Sequence, residues 1–135
     1  MKTVLLVDDE TLALHELREG LEDHGIICVL ATNLNVAITV LRQQSEIVAI
    51  VTDFRMPRGN GLDLLWQARE RELLKGKKII MVSGFLDDAV AAKVESLGLD
   101  IATFPKPLDI EEIAAAIMVP DGQQLGPDVG RASSE

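Results

Sequence analysis

Residues 47–53 read Ile-Val-Ala-Ile-Val-Thr-Asp, and this stretch decides the fold. Successive side chains of a strand point to opposite faces of a sheet, so an unbroken apolar run gives a strand without a polar face. Such a strand is typical of the centre of a parallel sheet that helices cover on both sides. We therefore predict a buried central strand, Ile47–Thr52, followed directly by the carboxylate of Asp53.

Four more apolar runs flank this strand along the chain and alternate with helical patterns. They are Thr3–Val7, Ile26–Ala31, Lys78–Val82 and Ile101–Phe104. Between them, apolar residues recur with helical spacing, and Asn33 and Asp109 are suited to cap the second and fifth helices. The alternation predicts an α/β protein, a doubly wound (βα)5 flavodoxin-like sandwich. Its five-stranded parallel sheet has the order 2-1-3-4-5, with helices on both faces.

Composition narrows the classes of function. Acidic residues outnumber basic ones 22 to 13, for a net charge of −9, which opposes direct binding to nucleic acid. Cys28 is the only cysteine, and no stretch approaches the ~20 apolar residues of a membrane span, so we expect a cytoplasmic protein without membrane association. We expect one domain over residues 1–119. Residues 120–135, rich in Gly, Pro, Gln and Ser, are expected to form a flexible tail or a linker stub.

Polar residues stand where these runs end. Asp8 and Asp9 follow the first run, Asp53 the third, Ser83 the fourth, and Lys106 closely follows the fifth. The carboxyl ends of parallel strands meet at one crevice, so these side chains should converge. Oxygen ligands suit Mg²⁺, with Mn²⁺ as the alternative ion; Asp9 and Asp53 are the best direct ligands, and Asp8 can act through a water. A lysine and a hydroxyl opposite them can meet a phosphoryl group, and Gly84 leaves room beside Ser83.

Four short motifs, in order, resemble the receiver domain of two-component response regulators. They are Leu6-Val7-Asp8-Asp9-Glu10, Asp53-Phe54-Arg55-Met56-Pro57 with Gly61 after it, Ser83-Gly84, and Lys106-Pro107. The likeness runs from Val4 to about Met118. It implies that Asp53 accepts a phosphoryl group from a sensor histidine kinase or a histidine phosphotransfer protein.

The resemblance also implies a role for each remaining site residue. The ligands of Mg²⁺ would be Asp8, Asp9, Asp53 and the backbone carbonyl of Arg55. Ser83, Gly84 and Lys106 would contact the phosphate, and the Lys106-Pro107 bond would be cis. Thr103 stands where the family often has Tyr or Phe, with Phe104 next to it, so these two are the candidates for the switch in the fifth strand. Arg55 and Phe85 flank the site, and we expect them to restrict access of water.

Other functions are weaker interpretations of the same residues. An aspartyl-nucleophile phosphatase of the haloacid-dehalogenase type needs a second aspartate two residues after the first, where this chain has Arg55. A phosphorylation-independent docking receiver would not need the complete cluster. We therefore expect a signalling domain rather than an enzyme, with at most self-catalysed phosphotransfer and dephosphorylation. The acidic fourth and fifth helices should bind a downstream protein, in a monomer or a weak dimer that depends on activation.

Overall fold

The computed structural model describes residues 1–55, 61–84 and 88–119, and within helix α4 it leaves the side chain of Val90 undescribed. Five strands and five helices alternate along these residues. The strands are β1 (Thr3–Val7), β2 (Ile27–Ala31), β3 (Ile47–Asp53), β4 (Lys78–Ser83) and β5 (Ile101–Pro105). The helices are α1 (Thr11–Glu22), α2 (Leu34–Gln43), α3 (Gly61–Glu70), α4 (Asp88–Ser96) and α5 (Ile110–Met118).

The strands form one parallel sheet in the order β2-β1-β3-β4-β5, which confirms the predicted fold class. Their register aligns the carboxyl ends. Val7 of β1 pairs with Thr52 of β3, and Asp53 pairs with Val82 of β4. Ser83 in turn pairs with Pro105 of β5. The residues that follow the strands are therefore delivered to a common edge of the sheet.

Each face of the sheet carries its own hydrophobic core. On one face Ile50 of β3 packs with buried residues of α2 and α3, among them Leu41 and Leu64. On the other face Val51 packs with residues of α1 and α5, among them Leu14 and Ile117. The central strand is thus covered on both sides, as its unbroken apolar run predicts. Its last residue, Asp53, is buried as well.

Local sequence explains where several elements begin and end. Asn33 caps α2, since its side chain accepts a hydrogen bond from the Val36 N–H, and Asp109 caps α5 by accepting from the N–H groups of Glu111 and Glu112. Strand β2 starts one residue later than predicted because the Ile26 N–H donates to the Leu21 carbonyl at the end of α1.

Strands β3, β4 and β5 each continue one residue beyond the predicted end, to Asp53, Ser83 and Pro105. Pro105 is tolerated because β5 is an edge strand, where one ladder donor is dispensable. The predicted tail, residues 120–135, and Phe85 lie outside the described residues. In the described part of the chain, every helix is too short or too polar to cross a bilayer.

Candidate phosphoryl and metal site

Asp53 is fixed by its backbone as well as by its position on β3. The Thr52 hydroxyl donates to the Asp53 carbonyl oxygen over 3.0 Å, and the Phe54 N–H donates to the Val82 carbonyl over 2.8 Å. The Gly61 N–H donates to the Phe54 carbonyl, also over 2.8 Å, and so ties the first residue of α3 to the end of β3. These bonds hold a carboxylate that is only 6% exposed in a defined place at the sheet edge.

Three carboxylates meet at this edge, as the sequence predicts. Asp8, Asp9 and Asp53 each offer a carboxylate oxygen, and these oxygens lie within 4.8 Å of one another. Asp8 and Asp53 are buried and Asp9 is exposed. Hard divalent cations prefer such oxygen ligands, and Mg²⁺ keeps part of its water shell, which the exposed side of the cluster allows. The donor set therefore fits a magnesium ion.

The surroundings of Asp8 disfavour its charged form. Burial raises its pKa to about 6, and the negative charges of Asp53 and Asp9 act in the same direction. The Glu10 N–H, which donates to Asp8 Oδ1 over 2.9 Å, and the charge of Lys106 partly offset the rise in pKa. A cation bound among these carboxylates would favour the charged form of Asp8.

Lys106 supplies the positive charge opposite the cluster. Its Nζ lies 2.7 Å from Asp53 Oδ1, and its side chain is 34% exposed. Burial lowers the pKa of Lys106, but the hydrogen bond to Asp53 and the charges of Asp53, Asp8 and Glu10 outweigh it and leave this pKa above its ordinary value. The lysine is therefore a cation held against the carboxylate of Asp53.

The backbone links Lys106 to Ser83. The Lys106 N–H donates to the Ser83 carbonyl over 2.9 Å, and the Lys106-Pro107 bond is cis, as predicted. Ser83 is 2% exposed at the end of β4, while Gly84 beside it is exposed, and a β-carbon on Gly84 would meet no atom within 4 Å. The Ser83 hydroxyl and the Lys106 ammonium thus belong to the ends of neighbouring strands, and there is open space beside Gly84.

The other predicted site residues have distinct surroundings. Arg55 follows the site with an exposed side chain, and the role of its carbonyl as a metal ligand remains a prediction. Phe104 is buried in the core on the α1 and α5 side of the sheet. Thr103 is half-buried, pairs with Met81 across β4 and β5, and points to the opposite face from Phe104. The two candidate switch residues therefore face different layers of the sandwich.

A cavity of about 430 Å³, which the sequence does not predict, opens beside the carboxylates. Asp8, Asp53 and Lys106 line one part of it. Apolar side chains of α1 and of the segment after β5 line another part, among them Leu17 and Leu108. The spacing of the leucines in α1 indicated a buried face but not that part of this face borders the site. Asp53 is thus reached through a partly apolar cavity.

The sequence profile of the response regulator receiver domain matches residues 4–118. The chain belongs to this family. Among curated relatives, it is 27% identical over 134 residues to the acid tolerance regulatory protein ActR of Rhizobium meliloti (strain 1021), a match that covers 99% of the chain and 67% of ActR.

Solved structures agree with the assignment to receiver domains. A response regulator receiver protein from Pseudomonas putida is 34% identical, with a TM-score of 0.75 over 83% of this chain and 91% of that one. A response regulator from Burkholderia pseudomallei, solved with a phosphorylated aspartic acid, a calcium ion and citrate, is 25% identical. Its TM-score is 0.77 over 88% of this chain and 68% of that one. The chain is a receiver domain of two-component systems, a signalling domain, which implies a kinase or a phosphotransfer protein as its partner.

Proposed function

We propose that Asp53 is the phosphoacceptor of this receiver domain and that Asp8, Asp9, Asp53 and the Arg55 carbonyl hold Mg²⁺, with Mn²⁺ as a substitute. One observation carries the proposal: the Lys106 ammonium lies 2.7 Å from Oδ1 of Asp53, which is one of three clustered carboxylates. A carboxylate attacks phosphorus readily only when the charge of the incoming phosphoryl group is offset. Lys106 and a cation bound by the carboxylates would offset the negative charge of a phosphoryl group that approaches Asp53.

The transfer is a displacement at phosphorus. A carboxylate oxygen of Asp53 forms a bond to phosphorus while the bond from phosphorus to the donor's nitrogen or oxygen breaks, and the leaving atom keeps that electron pair. When bound, the divalent cation offsets negative charge on the phosphoryl oxygens. Lys106, which now pairs with Asp53 Oδ1, would then donate to a phosphoryl oxygen as a point charge.

Ser83 would connect phosphorylation to the output surface. Its hydroxyl would donate to a phosphoryl oxygen, with Gly84 leaving room for the approach. The Ser83 carbonyl already accepts from the Lys106 N–H, and Ser83 pairs with Pro105, so a shift of Ser83 acts on β5 directly. Thr103 and Phe104 lie on that strand and are the candidates for transmitting the change.

The output that fits best is binding of a downstream protein through α4 and α5. These helices carry exposed acidic side chains, among them Glu95, Glu111 and Glu112, with Lys93 the basic residue of α4. An acidic surface favours a basic or neutral protein surface and disfavours the DNA backbone. We therefore favour a monomer or a weak activation-dependent dimer. A cytoplasmic location stays a prediction from the lone cysteine.

The test is the intact mass of the protein after treatment with acetyl phosphate and Mg²⁺. We expect one added phosphoryl group in the parent protein and none in Asp53→Asn or without the cation. A phosphoryl group that survives Asp53→Asn would refute the assignment. Turnover of a generic phosphate ester would instead favour the haloacid-dehalogenase type of phosphatase. Failure to bind beryllofluoride in the presence of Mg²⁺ would favour a phosphorylation-independent docking domain.

A further inference from the structure

Arg69 joins α3 to the end of α4. Its Nη1 donates to the backbone carbonyl of Leu97, the residue directly after α4. The guanidinium carbon lies 4.5 Å from the centre of the Trp66 ring, one turn earlier on α3. Arg69 Nη2 is also 3.9 Å from a carboxylate oxygen of Glu70. One side chain thus bridges two helices on the same face of the sheet.

The carbonyl that accepts this bond stands at the negative end of α4. The last carbonyls of a helix lack partners within the helix and attract cations. The Leu97 and Gly98 N–H groups close the final turn by donating to Val94 and Glu95, and Gly98 then turns the chain away with a φ of +67°. Arg69 therefore satisfies a helix terminus, and its positive charge suits that position.

The described side chains of α4 are mostly exposed. Among the described side chains from Asp88 to Gly98, Val94 and Leu97 are buried and the rest are exposed. The described part of this segment buries only these two side chains, so a hydrogen bond to a charged group adds appreciably to the attachment of the helix. The bond from Arg69 therefore lies at the carboxyl end of α4, where the two buried side chains, Val94 and Leu97, are also found.

Trp66 explains how the guanidinium is kept in place. The ring is 51% exposed, which is unusual for so large an apolar side chain, yet one face of it is covered by Arg69. A guanidinium over an indole ring is attracted by the ring's electrons, and the stack restricts the rotation of a long side chain. Trp66 and Arg69 together form what we call the α3 latch.

The other end of α4 is joined to the phosphoryl site by a short stretch of chain. Strand β4 ends at Ser83, and α4 begins five residues later at Asp88. In this structure Lys106 pairs with Asp53, a contact that phosphorylation of Asp53 would disturb. We propose that the α3 latch is a positioning device that stabilises α4 in its unphosphorylated arrangement, so that phosphorylation at Asp53 acts against it. The inference rests on the function proposed above.

The matched variants are Arg69→Gln and Arg71→Gln. Arg71 follows α3 directly and its Nη1 donates to the Gln67 carbonyl in α3, so its replacement removes the same charge but no bond between helices. The probe is beryllofluoride with Mg²⁺, measured by calorimetry. Losing a contact made only before phosphorylation should tighten binding by about three- to tenfold in Arg69→Gln. Arg71→Gln should match the parent protein, and Trp66→Leu should show a smaller effect in the same direction.

Hydrogen exchange shows whether the bridge is lost as intended. The amides of Leu97 and Gly98 should exchange faster in Arg69→Gln than in Arg71→Gln. Unchanged or weaker binding of beryllofluoride, together with faster exchange, would overturn the latch and leave Arg69 a purely structural contact. Should Arg69→Gln fail to fold, Trp66→Leu decides by the same criterion, since its side chain is half exposed. If the parent protein neither binds beryllofluoride nor gains a phosphoryl group, the proposed function fails, and the latch fails with it.

Discussion

Gly61 and Asp53 lie so close that no side chain fits between them: a β-carbon on Gly61 would stand 2.5 Å from the Asp53 carbonyl oxygen. The same hypothetical carbon would lie 3.2 Å from both the Met81 methyl carbon and the Thr52 hydroxyl oxygen. The obstacle is backbone, which cannot rotate away. The first residue of α3 is therefore packed directly against the strand end that carries the proposed phosphoacceptor, Asp53.

We expect Gly61→Ala to lower the free energy of unfolding by about 1–3 kcal/mol, the usual cost of overpacking, although alanine favours a helix. Chemical denaturation measures this. Phosphorylation by acetyl phosphate should also slow, because relief of the clash displaces Asp53. The control is Gly84→Ala, whose β-carbon would meet no atom within 4 Å and should leave stability nearly unchanged. Equal stability of the two variants would contradict the close packing.

Stability should fall with rising pH when no divalent cation is present. The pKa of Asp8 is about 6 in the folded domain and 3.8 ordinarily, so between these values the folded state binds more protons than the unfolded state. The free energy of unfolding then decreases as pH rises from about 4 to above 6, by at most about 3 kcal/mol from this group.

Asp8→Asn should remove most of this pH dependence and should stabilise the metal-free domain at pH 7. Saturating Mg²⁺ should reduce the pH dependence in the parent protein, because the cation favours the charged cluster. Denaturation at several pH values with EDTA or Mg²⁺ tests both statements. A parent protein whose stability rises across this pH range with EDTA would show that the sign is wrong.

Lys106→Met should separate metal binding from phosphoryl transfer. Removal of a cation 2.7 Å from Asp53 Oδ1 leaves the carboxylates more negative, so we expect Mg²⁺ to bind several-fold more tightly. The rate of phosphorylation should fall, since the charge that meets the phosphoryl group is lost. Calorimetry and intact mass measure the two effects. Lys93→Met, on the exposed surface of α4, is the control and should alter neither by more than about twofold.

Lys78 should stabilise the end of α5. Its Nζ donates to the carbonyls of Ala116 and Ile117 over 3.4 and 3.3 Å, at the negative terminus of that helix. We expect Lys78→Met to lower the free energy of unfolding by about 0.5–1 kcal/mol. Lys75→Met removes an exposed ion pair with Glu72 of 3.3 Å and should have almost no effect. Thermal denaturation of both variants compares them, and a larger loss in Lys75→Met would contradict the helix-end role.

The sequence predicts most of the architecture because the unbroken apolar run of β3 and the polar residues after each run are local signals. The ends of β1 and β2 were predicted correctly, whereas β3, β4 and β5 extend one residue further, because pairing in the sheet continues through Asp53, Ser83 and Pro105. The convergence of Asp8, Asp9 and Asp53 follows from the order and alignment of the strands and was therefore predictable.

Features that depend on the distance between helices were not predictable. The bond from Arg69 to the Leu97 carbonyl joins residues 28 positions apart, and nothing in either segment alone indicates it. The cavity beside Asp53 depends on how far α1 stands from the segment after β5.

The alignment of the strand ends has a consequence for how such domains diversify. Asp53 and Ser83 are the last residues of their strands, and Lys106 directly follows β5 and bonds to Ser83, so their positions are set by the sheet and not by the loops beyond them. Surface loops and helix exteriors tolerate change better than a hydrogen-bonded sheet does. Related chains can therefore exchange the surfaces that their partners recognise while the reacting atoms stay where they are.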